Sequence, residues 1–129
     1  MKPERKFWHE IKTFATKNNC KLSFTRLENS AAHGTPDVLG YNNSGHFFTV
    51  ELKYTKTNIV SFSPHQIAFH VKHPKNTFIM VYDASCKVPK LYEGKNIREL
   101  DACGLTPAPW GPATCAVGYD ACCLLLEAL

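Results

Sequence analysis

Residues 99–129 contain no lysine or arginine, although they carry four acids; all 15 bases fall within residues 1–98, against seven acids there. Nowhere does an apolar run approach the roughly 18 residues of a membrane span. The opening Met-Lys-Pro-Glu-Arg-Lys lacks the apolar stretch of a secretory signal, so a cytoplasmic location and no membrane partner are expected. No pair among the six cysteines has C-x-x-C spacing, which excludes a zinc ribbon, and a cytoplasmic setting disfavours disulfides. Free thiols are therefore expected, although Cys103, Cys115, Cys122 and Cys123 crowd into the last 27 residues. There is no internal repeat. At 129 residues the chain is too short for two ordinary domains but long enough for one core.

What remains is a basic body. A hydrophobic content of 44% with 20% charged residues places the chain among globular proteins, and the clustering of bases in residues 1–98 suits a polyanionic partner. Residues 3–18 read as an amphipathic helix, because Phe7, Ile11, Phe14 and Ala15 recur at helical spacing with Trp8 beside them. Glu4 falls near the middle of that apolar stripe and Glu10 near its edge. Residues 21–28 alternate as a strand with Leu22, Phe24 and Arg26 on one side. A loop rich in small residues then leads to Gly34-Thr35-Pro36-Asp37.

Residues 38–41 and 46–54 make a hairpin about Asn42-Asn43-Ser44-Gly45. In its second strand Phe48, Val50, Leu52 and Tyr54 form an apolar face, while Thr49, Glu51 and Lys53 point the other way. With the turn centred on Asn43-Ser44, Asp37 pairs opposite Val50, one residue from Glu51. Ser63-Pro64-His65-Gln66 predicts a helix start with a capping box. That helix should run to about Lys72 with Ile67, Phe69 and Val71 partly buried. Residues 77–82, nearly all apolar, read as a central strand covered on both faces. Residues 90–92 suggest another strand, and 97–103 a turn or short helix. From about residue 102, proline, glycine and cysteine dominate, and the chain ends as a docked tail or an apolar terminal helix. The division is a domain over 1–101 and a tail of unknown role over 102–129.

The chemistry lies in the hairpin. Two carboxylates side by side raise one another's pKa unless a cation shares them. A hard ion such as Mg²⁺, or Mn²⁺ in its place, would take oxygen from Asp37, Glu51 and the Leu52 carbonyl. It would polarise a phosphoryl oxygen and activate a water. Lys53, on the same face as Glu51, is placed to neutralise charge developing on phosphate. Singly, Asp37 reads as a turn cap, and Glu51 with Lys53 as an exposed strand face.

Pro36-Asp37 followed, thirteen residues on, by Glu51-Leu52-Lys53 resembles the P-D…(D/E)-x-K pattern of the PD-(D/E)XK nuclease superfamily. The context is similar to its VRR-NUC and Holliday-junction-resolvase-like members, through Glu4-Arg5 in the first helix, Arg26 before a Gly-x-Pro-Asp turn, and Gln66 at the start of the next helix. The likeness spans roughly residues 4–100 and implies an α/β, restriction-endonuclease-like core in α-β-β-β-α-β order, a mixed sheet flanked by helices. It implies a Mg²⁺-dependent DNA endonuclease selective for branched DNA, with Asp37 and Glu51 as metal ligands and Lys53 as the catalytic lysine. Glu4 would be the helix acid, ranked before Glu10 and Glu28, and Gln66 a contact to the site or to DNA. Arg26, Lys56, Lys72 and Lys75 are candidate phosphate contacts, the last two equally well a solvated surface. His33 and His65 are bystanders. Resolution of a four-way junction would require a homodimer, since two symmetric nicks need two sites. The rival readings are a nucleic-acid-binding module that kept the fold without activity, and a scaffold whose cysteine-rich tail binds metal or a partner.

Overall fold

The computed structural model describes residues 2–27 and 33–129. Helix α1 (Pro3–Lys17) opens on a proline, whose missing N–H costs nothing at a first helical turn. Strands β1 (Leu22–Arg26), β2 (Val38–Asn42) and β3 (Phe47–Thr55) form an antiparallel meander. Helix α2 (Pro64–Lys72) then crosses to β4 (Thr77–Asp83), which runs parallel to β3. Strand β5 (Val88–Glu93), a 3₁₀ turn (Gly94–Asn96), α3 (Ile97–Cys103), β6 (Ala116–Val117) and α4 (Tyr119–Glu127) complete the chain. The six strands lie in sequence order in one mixed sheet.

Alternation along the central strands divides the interior in two. Val38, Phe48, Val50, Leu52, Phe78, Met80 and Leu91 pack with Phe7, Trp8 and Ile11 of α1 and with Cys122 and Leu126 of α4. On the other face Ile79, Val81 and Tyr92 pack with Val60 and with Ile97 and Leu100 of α3, and Ile67 of α2 lies against them. The sheet is thus a middle layer with helices on both sides, as the sequence predicts, and β4 is buried on both faces. The end of the chain is docked: β6 pairs with β5, and α4 joins the α1 layer. Among the described residues no helix is long and apolar enough to cross a membrane.

Two expectations need correction. Val38, not Asp37, lies opposite Val50, so the register continues to Asp37 opposite Glu51. The turn is longer by one residue than the pattern suggested. Gly45 takes φ +84, the Gly45 N–H donates to the Asn42 carbonyl, and the Asn42 N–H donates to the His46 carbonyl, closing a three-residue loop. Asn42 fixes that loop, its Oδ1 accepting from the N–H groups of Ser44 and His46. In α2, Val71 is 46% exposed and His70 fully buried. Positions 67, 69 and 71 cannot share a helix face; Gln66, Ile67 and His70, one turn apart, turn toward the sheet instead. Ile67 and Phe69 are partly buried as expected.

Candidate active site

The register correction brings the two acids closer. Asp37 ends the loop just before β2, and its Oδ2 accepts from the Leu52 N–H at 2.8 Å. Residues 38, 40 and 42 form hydrogen-bonded pairs with 50, 48 and 46, so Pro36 would be the next partner of Leu52. Proline has no N–H to give. The Leu52 carbonyl, on the same side of β3 as its N–H, therefore receives no bond from Pro36.

Glu51 is 2% exposed. Its Oε2 accepts from Gln66 Nε2 at 3.2 Å, and its Oε1 is buried with no donor among the described residues. Burial, the hydrogen bond and charge of Asp37 and the more distant Glu4 push its pKa well above the ordinary carboxylate range; Lys53 opposes them. Without a cation, burial and the neighbouring Asp37 carboxylate thus favour the protonated form of Glu51.

Gln66 organises the other side. Ser63 caps α2 by accepting from the Gln66 N–H at 3.1 Å, and Gln66 Oε1 accepts from the Ser63 N–H at 3.0 Å, which is the predicted capping box. The same Oε1 accepts from Lys53 Nζ at 3.1 Å, while the amide nitrogen holds Glu51. Lys53 Nζ also lies 5.0 Å from the Phe62 ring centroid, a support that sequence reasoning missed although Phe62 immediately precedes the cap.

Glu4 and Arg26 arrive from the α1 layer. Arg26 Nη2 stands 3.9 Å from Asp37 Oδ1. Glu4 reaches solvent, yet partial burial raises its pKa, as does Asp37, with Lys53 and Arg26 acting against them. These are the charges of the site, so the first helical turn delivers an acid to it. Glu10 points elsewhere and accepts from the Tyr119 hydroxyl at 2.9 Å. Glu28 lies outside the described residues. Lys56 is exposed beyond the end of β3, and Lys72 and Lys75 are exposed where the chain enters β4, at the end of the sheet away from Lys53. His33 and His65 stack on each other, ring centroids 5.1 Å apart, and neither has a bond to the carboxylates.

The donors suit a hard cation. Among the described residues Glu51 Oε1 has no donor and Asp37 Oδ1 has the Arg26 guanidinium at 3.9 Å; with the Leu52 carbonyl they make an all-oxygen set, and an ion of this kind completes its shell with water. Among the described residues no group of three or more His, Cys, Asp and Glu converges as a closed metal site, in the cysteine-rich tail or elsewhere.

No protein-family model and no curated protein matches the sequence. A solved structure does match: Hjc from Archaeoglobus fulgidus, a Holliday junction resolvase from an archaeal hyperthermophile, with a TM-score of 0.55 over 70% of this chain and 77% of that one. The fold is resolvase-like. Sequence identity with Hjc is 11%, so the likeness carries the fold, and the chemistry has to be argued from the residues above.

Proposed function

We propose that the protein is a divalent-metal-dependent deoxyribonuclease of the PD-(D/E)XK type that hydrolyses phosphodiester bonds in branched DNA. The observation that carries this reading is Glu51 Oε1, a buried carboxylate oxygen without a donor among the described residues, beside a second carboxylate and a hydrogen-bonded lysine. A surface charge pattern has no need of such burial, whereas a cation site does. Asp37, Glu51 and the Leu52 carbonyl would hold Mg²⁺ or Mn²⁺, which when bound polarises a phosphoryl oxygen and lowers the pKa of a water.

The chain's own residues do the remaining work. The Leu52 N–H fixes Asp37 by one oxygen and so aims the other. Gln66 holds the Lys53 ammonium beside Glu51, where it can meet charge developing on phosphate or orient the attacking water. Glu4 adds an acceptor on the solvent side. The family resemblance implies a 5′-phosphate product, and the VRR-NUC and resolvase-like affinities rest on the flanking Glu4, Arg26, Gly34 and Gln66. As a junction resolvase the protein would act as a homodimer.

The test is incubation with Mg²⁺ or Mn²⁺ and linear, nicked, flapped and four-way DNA. Branched substrates should be cut, and Asp37→Ala or Lys53→Ala should each lower the rate by roughly 100-fold or more. Failure to cut any substrate, with DNA still bound, would leave the inactive binding module. Cleavage that survives both substitutions, or that proceeds in chelator, would end the proposal.

A further inference from the structure

Beside the carboxylates, α1 and β1 enclose an open groove of about 780 Å³, lined among others by Lys2, Arg5, Trp8, Lys12, Arg26 and Tyr54. Four of these six are cations, and among the described lining residues Glu4 is the one acid, at the side of the active site. Among the described residues Lys2, Arg5 and Lys12 have no carboxylate partner. Trp8 holds two of the cations, Lys12 in place of a carboxylate and Arg26 in addition to Asp37. The indole is almost wholly buried, with Lys12 Nζ 5.3 Å and Arg26 Cζ 5.8 Å from its ring centroid. Arg26 Nη1 is buried with no acceptor among the described residues. A cation fixed by an aromatic ring rather than by an acid, as Lys12 is, keeps its full charge for an external anion.

We propose that this groove receives the phosphodiester backbone of one DNA strand and leads it to Asp37 and Glu51, with Lys2, Arg5, Lys12 and Arg26 as phosphate contacts and Trp8 as the residue that positions two of them. DNA as the polyanion rests on the nuclease reading; the cationic track rests on the groove itself. The volume takes a short run of backbone and not the cross-section of a duplex, so the rest of the substrate lies outside it. The repeated charge of a strand matches cations spread along a groove better than one small anion does.

The test separates binding from cleavage. Affinity for a fluorescent DNA strand and for a four-way junction is measured by anisotropy in chelator across a salt series, for the intact protein, Arg5→Gln/Lys12→Gln, Trp8→Leu, and Lys72→Gln/Lys75→Gln at the far end of the sheet. The Arg5/Lys12 variant should bind several-fold more weakly, and the slope of log affinity against log salt should become shallower by roughly 2. Trp8→Leu should lower the melting temperature, because the indole belongs to the core, and at temperatures where it remains folded it should also flatten the slope, which loss of core packing alone would not do. The Lys72/Lys75 variant should behave as the intact protein. Equal slopes for the intact and Arg5/Lys12 proteins, loss confined to the Lys72/Lys75 variant, or preference for an RNA strand would overturn the proposal. Because no divalent cation is present, a protein that binds through Arg5 and Lys12 but never cleaves would sustain the groove and sink only the nuclease.

Discussion

Two buried acids of this protein have opposite pKa shifts, and the difference lies in their partners. Asp83 is 4% exposed; burial alone would raise its pKa, but the Ser85 hydroxyl at 2.6 Å and Lys90 Nζ at 3.0 Å outweigh burial and bring it down to about 2. For Glu51 burial is the largest cause and the second carboxylate adds to it, so its pKa rises. The signs follow from proton linkage. Above its ordinary value of 4.5 the unfolded Glu51 has lost a proton that the native state retains, so this residue makes stability fall as pH rises toward the native pKa. Asp83 contributes stability above its ordinary 3.8 that is lost as pH falls toward 2. In chelator, Glu51→Gln should therefore be more stable than the parent by more than about 1 kcal/mol at pH 9, with the gap shrinking toward pH 5. Asp83→Asn should be less stable at pH 7, with its deficit vanishing near pH 2. Thermal melts across pH read both; a Glu51→Gln difference that is constant with pH would mean that the carboxyl is ionised throughout.

Helix α2 turns a local stability signal into site geometry. Its capping box was legible in Ser63-Pro64-His65-Gln66, because each partner sits at a fixed offset along the chain. What the chain could not reveal locally was that Gln66 spends its remaining amide contacts on Lys53 and Glu51, since those bonds depend on how α2 lies across β3. The same limit explains the other misses. The hairpin and its two acids followed from alternation, but the register turned on one left-handed glycine, Gly45. In α2 the apolar residues suggested a buried Val71, whereas contact with the sheet buried His70. The preference for Glu4 over Glu10 came from helical phase, and Glu10 has a partner, Tyr119, that sequence distance concealed. Ser63→Ala should cost about 1 kcal/mol by removing the cap. It should also slow cleavage, because Gln66 loses its fixed place while the carboxylates remain. Guanidinium titration and single-turnover rates test the pair; lost stability with an unchanged rate would show that Gln66 is positioned by Glu51 and Lys53 rather than by the cap.

At the scale of the molecule, the C-terminal segment is tied to the strand pair that carries the acids. Leu126 and Cys122 are fully buried in the core with Phe7 and Ile11, and Tyr119 stacks on Phe14 of α1. Beyond the shared core and the His46 ring nitrogen at 2.7 Å from the Leu129 carbonyl, one buried side chain ties the segment to the hairpin. Asn42, 1% exposed, donates from Nδ2 to the Leu126 carbonyl at 3.1 Å and the Leu129 carbonyl at 3.2 Å, while its Oδ1 closes the turn on Ser44 and His46. The Leu126 carbonyl in the last turn of α4 and the Leu129 carbonyl beyond it thus meet the loop that sets Asp37 opposite Glu51. Asn42→Ala removes all four bonds and leaves buried groups without partners, which should lower stability by about 3 kcal/mol. If the loop also holds the register, the loss should reach the site: protection of the Leu52 amide, bonded to Asp37, should fall in hydrogen exchange together with that of α4. Full protection at Leu52 in a destabilised Asn42→Ala protein would instead mean that β2 and β3 keep their register through Gly40, where the absence of a Cβ admits the Phe48 ring, without help from the turn.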